Sequence, residues 1–352
     1  MTSVAGAGPD LEIFRRELTG YCYRMLGSAH DAEDALQEAM LRAWRGLPKF
    51  EGRSSLRSWL YTIATNTCLN LIERRPKRVL PIDYDGSSDP HADGLGLPPL
   101  ESVWVEPLPD AGLGLEDGYA APEARYELRE SVELAFVAAL QNLPANQRAV
   151  LILREVLGFS AAEVAEALDT SVASVNSALQ RARKTVDEKL PEESQQETLR
   201  SLDDQELREL VESYMDAMER GDVEAVMNLL AEDAVWSMPP LPAWFTGTDG
   251  LREFMKFGPL SGDWKWKHIP TQANGQPAVA SYAWYEPDGA YRLFAIDVFT
   301  LAGSKIKAIT SFINRSTMSR EELFYQRYPE QPEDESNTSV NAEAFGLPEM
   351  ID

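Results

Sequence analysis

The sequence predicts a multidomain chain: two all-α domains, the second closing on a helix-turn-helix, and then a third domain of α+β type. Three observations carry this prediction. Residues 158–184, GFSAAEVAEALDTSVASVNSALQRARK, hold two helical patterns that meet across a turn too short to be a loop. An acidic stretch rich in Pro and Gly, with no apolar periodicity, separates that segment from an earlier helical one. Beyond residue 202 the apolar spacing passes from helical to alternate, as in WKWKH at 264–268.

The first domain spans 10–80. Leu36, Met40, Ala43 and Trp44 recur at helical spacing within DAEDALQEAMLRAWR, and Glu38 can pair with Arg42 one turn on. Leu47-Pro48 breaks that helix, FEGRSS makes an exposed loop, and SLRSWLYTIATNTCLNLIERR resumes a helical pattern that ends in the Arg74–Arg78 cluster. Residues 81–122 read as a largely flexible linker with one apolar island, ESVWVEPLPD at 101–110. Trp104 and Pro107 of that island are expected to dock on the third domain.

The second helical domain spans 123–190. Ala162, Val164, Ala165 and Leu168 share a face of the first helix of the motif, Asp169-Thr170-Ser171 makes the turn, and Ser171 can cap the second helix. There Val172, Val175, Leu179 and Ala182 form the expected buried stripe. The opposite face carries Ser174, Ser177, Arg181 and Lys184, with Asn176, Gln180 and Arg183 beside it. Hydroxyls and amides near the helix start suit base edges in a major groove, and cations farther along suit phosphates.

The third domain spans 202–318. Leu207, Leu210, Val211, Tyr214 and Met218 make an amphipathic helix stopped by Gly221, and a second helix follows through Val226 and Leu230. Strands are expected at 278–285, 291–301 and 304–313, giving an antiparallel meander with helices over one face of a curved sheet. The acidic tail, 319–352, reads as disordered over 330–344, with FGLP at 345–348 an apolar island able to return to the body.

The net charge of −24 is unevenly placed. Residues 10–80 hold twelve Lys or Arg against nine Asp or Glu, whereas 81–125 hold one against ten and 191–352 hold thirteen against twenty-nine. The acid therefore lies in the linker and the C-terminal half, where it opposes free binding of the whole chain to nucleic acid. No apolar run of membrane-spanning length and no secretory signal is present, so a cytoplasmic protein that engages no membrane is expected. The two cysteines, Cys22 and Cys68, read as buried reduced thiols, and no metal-ligand spacing or cofactor motif occurs.

On these residues, 10–190 resembles the two-domain core of the extracytoplasmic-function sigma factors, and the whole chain resembles the subgroup with a fused SnoaL-like domain. Asp31-Ala32-Glu33-Asp34, Gln37-Glu38 and Leu41-Arg42-Ala43-Trp44 are similar to the family's helix that docks on the polymerase clamp. The resemblance thus implies Asp31, Glu33, Asp34, Gln37 and Glu38 as contacts to core RNA polymerase. FEGRSSLRSWL resembles the loop that captures an unstacked base of the minus-10 element. Ile63-Ala64-Thr65-Asn66, with Asn70 and Arg74, resembles the helix that opens that element. Arg53, Ser54, Ser55, Arg57, Trp59, Asn66, Asn70 and Arg74 are the implied minus-10 residues. Gly158–Arg183 resembles the minus-35 module, which implies Ser174, Asn176, Ser177, Gln180, Arg181, Arg183 and Lys184 as DNA contacts. Many relatives place Lys and Arg in that helix where this chain has Asn176 and Ala178, which predicts a weaker, less salt-dependent hold.

The third domain is similar to SnoaL-like members of the NTF2-like cones, helped by WSMPPLPAWFTG at 236–247 and RLFAIDVFTL at 292–301. Trp236, Trp244, His268, Tyr282, Trp284 and Asp297 are the candidate pocket for a small-molecule ligand. Asp297, on a largely apolar strand, is expected to be partly buried with a raised pKa. The implied function is a sigma factor, not an enzyme, that binds core RNA polymerase and promoter DNA and is modulated in cis by its third domain. The alternatives are a helix-turn-helix transcription factor with a ligand-sensing third domain, and a SnoaL-type small-molecule enzyme with Asp297 as base.

Overall fold

A computed structural model of the chain describes residues 10–91, 103–111, 131–190, 194–314 and 340–352. Of the linker expected over 81–122, residues 92–102 and 112–122 lie outside these residues, as do 123–130 of the second domain and 319–339 of the tail expected over 319–352. Among the described residues no helix is long and apolar enough to cross a membrane.

The first domain packs α1 (Arg15–Leu26), α2 (Ala29–Gly46) and α3 (Leu56–Ile72) around Leu18, Tyr21, Met25, Leu36, Leu60 and Ala64, and the one-turn α4 (Pro81–Tyr84) follows. Gly27 closes α1 in the left-handed region, at φ 67°, and Ser28 caps α2 by accepting from the Asp31 amide. Helices α1 and α3 cover α2 from one side, so its buried stripe is narrow: Ala32, Ala35, Leu36, Ala39, Met40 and Ala43. Trp44 falls outside that stripe and is 57% exposed, contrary to the expectation from its spacing. Cys22 and Cys68 are buried free thiols on facing helices.

The second domain is built from α5 (Leu134–Gln141), α6 (Ala145–Leu151), α7 (Ala161–Ala167) and α8 (Val172–Asp187), and α6 runs on into a π-helical turn at Ile152–Val156. Ser160 and Glu163 form a reciprocal capping box on α7, and Asp169 makes the turn at φ 48°. The buried stripe of α8 is Val175, Leu179, Ala182 and Val186. Val172 is 44% exposed and Ala162 is exposed as well. Both stand at first-turn positions, ahead of the stretch where α6 and α7 pack on α8.

The third domain carries α9 (Gln195–Ser201), α10 (Asp204–Glu219), α11 (Val223–Leu229) and α12 (Thr248–Phe257) on one seven-stranded sheet. The strands are β1 (Leu230–Ser237), β2 (Trp244–Thr246), β3 (Trp266–Ala273), β4 (Gln276–Tyr285), β5 (Ala290–Ala302), β6 (Lys305–Ile313) and β7 (Met350–Ile351). Strands β3 to β6 form the expected antiparallel meander. The sheet is mixed, however, because β1 lies parallel to β6. Val279, Ala295, Phe299 and Ile309 pack under α10 and α12, while Ala278, Ala280, Tyr282, Ile296, Val298 and Phe312 belong to the other face.

That second face is covered too, which the sequence reading did not anticipate. Val340 and Ala342, inside the stretch expected to be disordered, are buried against it because they continue its apolar surface. Strand β7 then pairs with β5 at Tyr291 and Arg292, and the Tyr282 hydroxyl donates to the Pro348 carbonyl at 2.8 Å. The FGLP island thus returns to the body as expected.

Candidate functional site

Helix α2 presents Glu33, Asp34, Gln37 and Glu38 on its exposed side, continued by the exposed Leu41 and Trp44. Gln37 donates to Glu33 at 3.1 Å and Arg42 to Glu38 at 2.7 Å, so the row is ordered by pairs one turn apart. Asp31 does not join it. As an N3 residue on the inner side of α2 it is buried, and its two oxygens accept from Arg75 and, at 2.7 Å, from Arg78. It braces the end of the first domain.

The candidate minus-10 residues divide into two groups. Asn66 and Asn70 lie exposed along α3, four residues apart and so on one face, and the exposed Arg74 follows in the turn after the helix. Trp59 packs on Phe50 at 4.9 Å between ring centroids and lies over Gly46, where a Cβ would meet the indole at 3.0 Å. Arg53 is exposed and paired with Glu51, Ser54 is half-buried, and Ser55 caps α3 by accepting from the Ser58 amide. Arg57 is drawn inward: it donates to Glu17 at 2.7 Å and sits 4.4 Å from the Phe159 ring centroid and 5.2 Å from that of Tyr61. Ser58 donates to Glu163 at 3.2 Å, so the start of α3 is pressed against α7 of the second domain.

On α8, Ser174, Asn176, Ser177, Gln180, Arg181, Arg183 and Lys184 are all exposed. Ser174 lies 2.9 Å from the Ser171 hydroxyl, Arg183 pairs with Glu155 at 2.8 Å, and Lys184 lies 4.0 Å from Glu188. The face therefore carries small polar groups at its start and cations along its second half.

Of the six candidate pocket residues, Trp236, His268 and Asp297 come together. Asp297 is 3% exposed and accepts from Ser281 at 2.7 Å and from Tyr214 at 3.2 Å, while Trp236 donates to Ser311 at 2.8 Å. Burial raises the Asp297 carboxyl above its ordinary value, against the pull of hydrogen bonds from Ser311 and Ser281. The His268 ring lies 3.3 Å from Glu219, and burial lowers its pKa. Tyr214, Phe254 and Phe299 pack with Trp236 around this cluster. Trp244 instead donates to the Asp85 carbonyl in the linker at 2.8 Å, Trp284 to Glu286 at 2.6 Å, and Tyr282 faces the tail.

The hairpin between β3 and β4 was not singled out from sequence, although its Asn-Gly dipeptide is a tight-turn signal. Asn274, fully buried at φ 59°, donates to the Tyr23 hydroxyl at 2.7 Å and to the Val132 carbonyl at 2.8 Å, and accepts from the Leu108 amide at 2.9 Å. Gly275 donates to Asp110 at 2.8 Å, and Gln276 accepts from the Leu134 amide at 2.9 Å. One turn of the third domain thereby meets the first domain, the linker and the second domain. The linker island is buried from Trp104 to Asp110, but Trp104 docks on the first domain, bridged to Val79 and 5.1 Å from Tyr84. The third domain is met by Leu108–Asp110.

Comparison with known proteins agrees with this geometry. Residues 11–78 match the family model of sigma-70 region 2, residues 133–186 that of sigma-70 region 4, and residues 211–309 the SnoaL-like domain. The chain is 41% identical over 306 residues to the ECF RNA polymerase sigma factor SigG of Mycobacterium tuberculosis, covering 86% of this chain and 80% of that one. The chain belongs to the extracytoplasmic-function sigma factors. This sigma factor is also 30% identical, over half its length, to the RNA polymerase sigma-H factor of Pseudomonas aeruginosa, 82% of which is covered. Its fold matches the crystal structure of the Mycobacterium tuberculosis sigma factor SigJ with a TM-score of 0.54 at 24% identity, over 89% of this chain and 98% of that one. It is an RNA polymerase-binding, promoter-directing sigma factor with a SnoaL-like third domain.

Proposed function

We propose that this sigma factor docks on core RNA polymerase through the exposed face of α2, with Asp34 and Glu38 at its centre. It reads the minus-10 element with Asn66, Asn70, Arg74 and the loop before α3, and the minus-35 element with the exposed face of α8. The observation that supports this reading most is the α2 row: four acid or amide groups followed by Leu41 and Trp44, all left exposed by the other described residues. Large exposed apolar groups beside ordered charges suit a protein partner with a basic rim.

The third domain acts in cis, not as an enzyme. Asp297 is committed to Ser281 and Tyr214, and aromatic side chains pack around it, which is what a structural carboxyl in a filled cone requires. Its turn at Asn274 ties the two DNA-binding domains together through the linker.

The reading is tested with Asp34→Arg and Glu38→Arg combined in the full chain. Association with core polymerase should weaken by about tenfold or more, roughly 1.4 kcal/mol. Duplex binding by α8 should be unchanged. Undiminished polymerase association would sink the assignment of α2.

A further inference from the structure

A cleft of about 330 Å³ runs along the seam between the first two domains, with Leu71–Arg78 on one side and Gln141–Arg148 on the other. That is the lower end of the range for small-ligand sites, roughly 300–1,000 Å³. Its lining mixes apolar groups, among them Ile72 and Pro144, with four cationic side chains, Arg75, Lys77, Arg78 and Arg148, and a single carboxylate, Asp31. Both oxygens of Asp31 are already taken, one by Arg75 and the other by Arg78.

Arg78 is held by Glu106 as well, at 3.2 Å, and Arg75 by Asp31, which leaves Lys77 and Arg148 facing neutral partners. Lys77 donates to the Asn142 amide oxygen at 2.7 Å. Arg75 gives one nitrogen of its fork to Asp31 and is otherwise half-exposed. Arg148 is 5% exposed, and it bonds to the Met25, Gln141 and Leu143 carbonyls and the Gln141 amide oxygen, all uncharged. Its Nε is buried with no partner, and burial pushes the guanidinium down to about 10. A buried cation without a counter-charge is costly, and Arg148, with the exposed Lys77 on the facing wall, leaves the lining net positive, which suits an anion. Planar guanidinium forks favour phosphate, and apolar walls favour a ligand with an apolar or aromatic body.

We propose that this cleft binds a phosphate-bearing small molecule of the nucleotide class, with its phosphates on Arg75 and Lys77 and its body against Ile72 and Pro144. Each wall comes from a different domain. The ligand therefore binds while the two DNA-binding domains are in contact, and by mass action it stabilises that closed arrangement.

The test is calorimetric titration of the full chain with ATP, pyrophosphate and adenosine. ATP should bind one to one, with adenosine weaker by about tenfold or more. Arg75→Gln combined with Lys77→Gln should weaken ATP by about tenfold, whereas Arg16→Gln, an exposed charge loss on α1, should leave it within about twofold. Ala145→Glu adds a carboxylate to the lining without removing any bond, and it should also weaken ATP while the fold is kept. Absence of saturable ATP binding at about 1 mM, or an equal loss in Arg16→Gln, overturns the proposal. So does loss of single-stranded DNA binding in the double variant with no ATP binding in the parent, since the cations would then serve the DNA backbone.

Discussion

Asn274 stands where the left-handed backbone of a tight turn and three side-chain hydrogen bonds are required of one residue. Asn tolerates that region better than other side chains with a Cβ, and Gly tolerates it best. Asn274→Ala strains the turn and leaves Tyr23, Val132 and Leu108 with missing partners, at about 3 kcal/mol in all. Asn274→Gly removes the bonds but not the fit. Both variants should lower the thermal midpoint and speed protease cutting of the linker, Ala more than Gly, and equal loss would mean that backbone conformation contributes nothing. Asp297 makes a pH prediction. Its carboxyl is raised above its unfolded value by burial, so it favours the fold while protonated, below about pH 4, and that contribution is lost as pH rises through the raised value. Relative to the native chain, Asp297→Asn should therefore gain stability as pH rises above the ordinary carboxylate range, about pH 4. A difference independent of pH would contradict a raised Asp297.

At the scale of elements, α8 separates positioning from reading. Arg181 and Lys184 lie on its outer face beyond the first two turns, so each glutamine replacement should flatten the salt dependence of promoter binding by about one phosphate. Replacing Asn176 or Ser177, nearer the helix start, should instead change discrimination at one base pair, by about 1–3 kcal/mol. Equal effects on cognate and unrelated duplexes would remove those two residues from base contact. Such faces were legible because a helix with one covered side writes its burial into a 3.6-residue period, and α2, α8 and α10 all do so. What the period could not show is where a neighbour stops. Trp44 and Val172 obey the spacing yet lie beyond the covering helices, and Asp31 looks like its exposed neighbours until Arg75 and Arg78 arrive from the far end of the domain. Trp244, Tyr282 and Trp284 share their chemistry with the cluster, but strand parity puts Tyr282 and Trp284 on the opposite face of β4 from Val279 and Ser281, and Trp244 turns to the linker.

For the whole molecule, on the proposed reading, the arrangement of the first two domains governs access to DNA. The start of α3 meets the second domain through Arg57 on Phe159 and Ser58 on Glu163 of α7, so the proposed minus-10 and minus-35 surfaces are held in one closed spacing. The third domain reinforces it from behind. Tyr23 of the first domain, Glu106 and Leu108 of the linker and Val132 and Leu134 of the second domain are all joined through Asn274 and Gln276. Removing that domain takes away the partners of Leu108, Val132 and Leu134 and one of the two that Tyr23 has, and it also removes thirteen Lys or Arg against twenty-nine Asp or Glu. A chain ending at Leu190 should therefore open more readily and bind promoter DNA about tenfold more tightly at moderate salt. It should also initiate transcription more strongly with core polymerase, as a cis inhibitor requires. A truncated chain that still binds polymerase but starts no transcript would give the third domain the opposite role, a required part of promoter opening, because the clamp would then be needed to hold the two DNA-binding domains at the working distance.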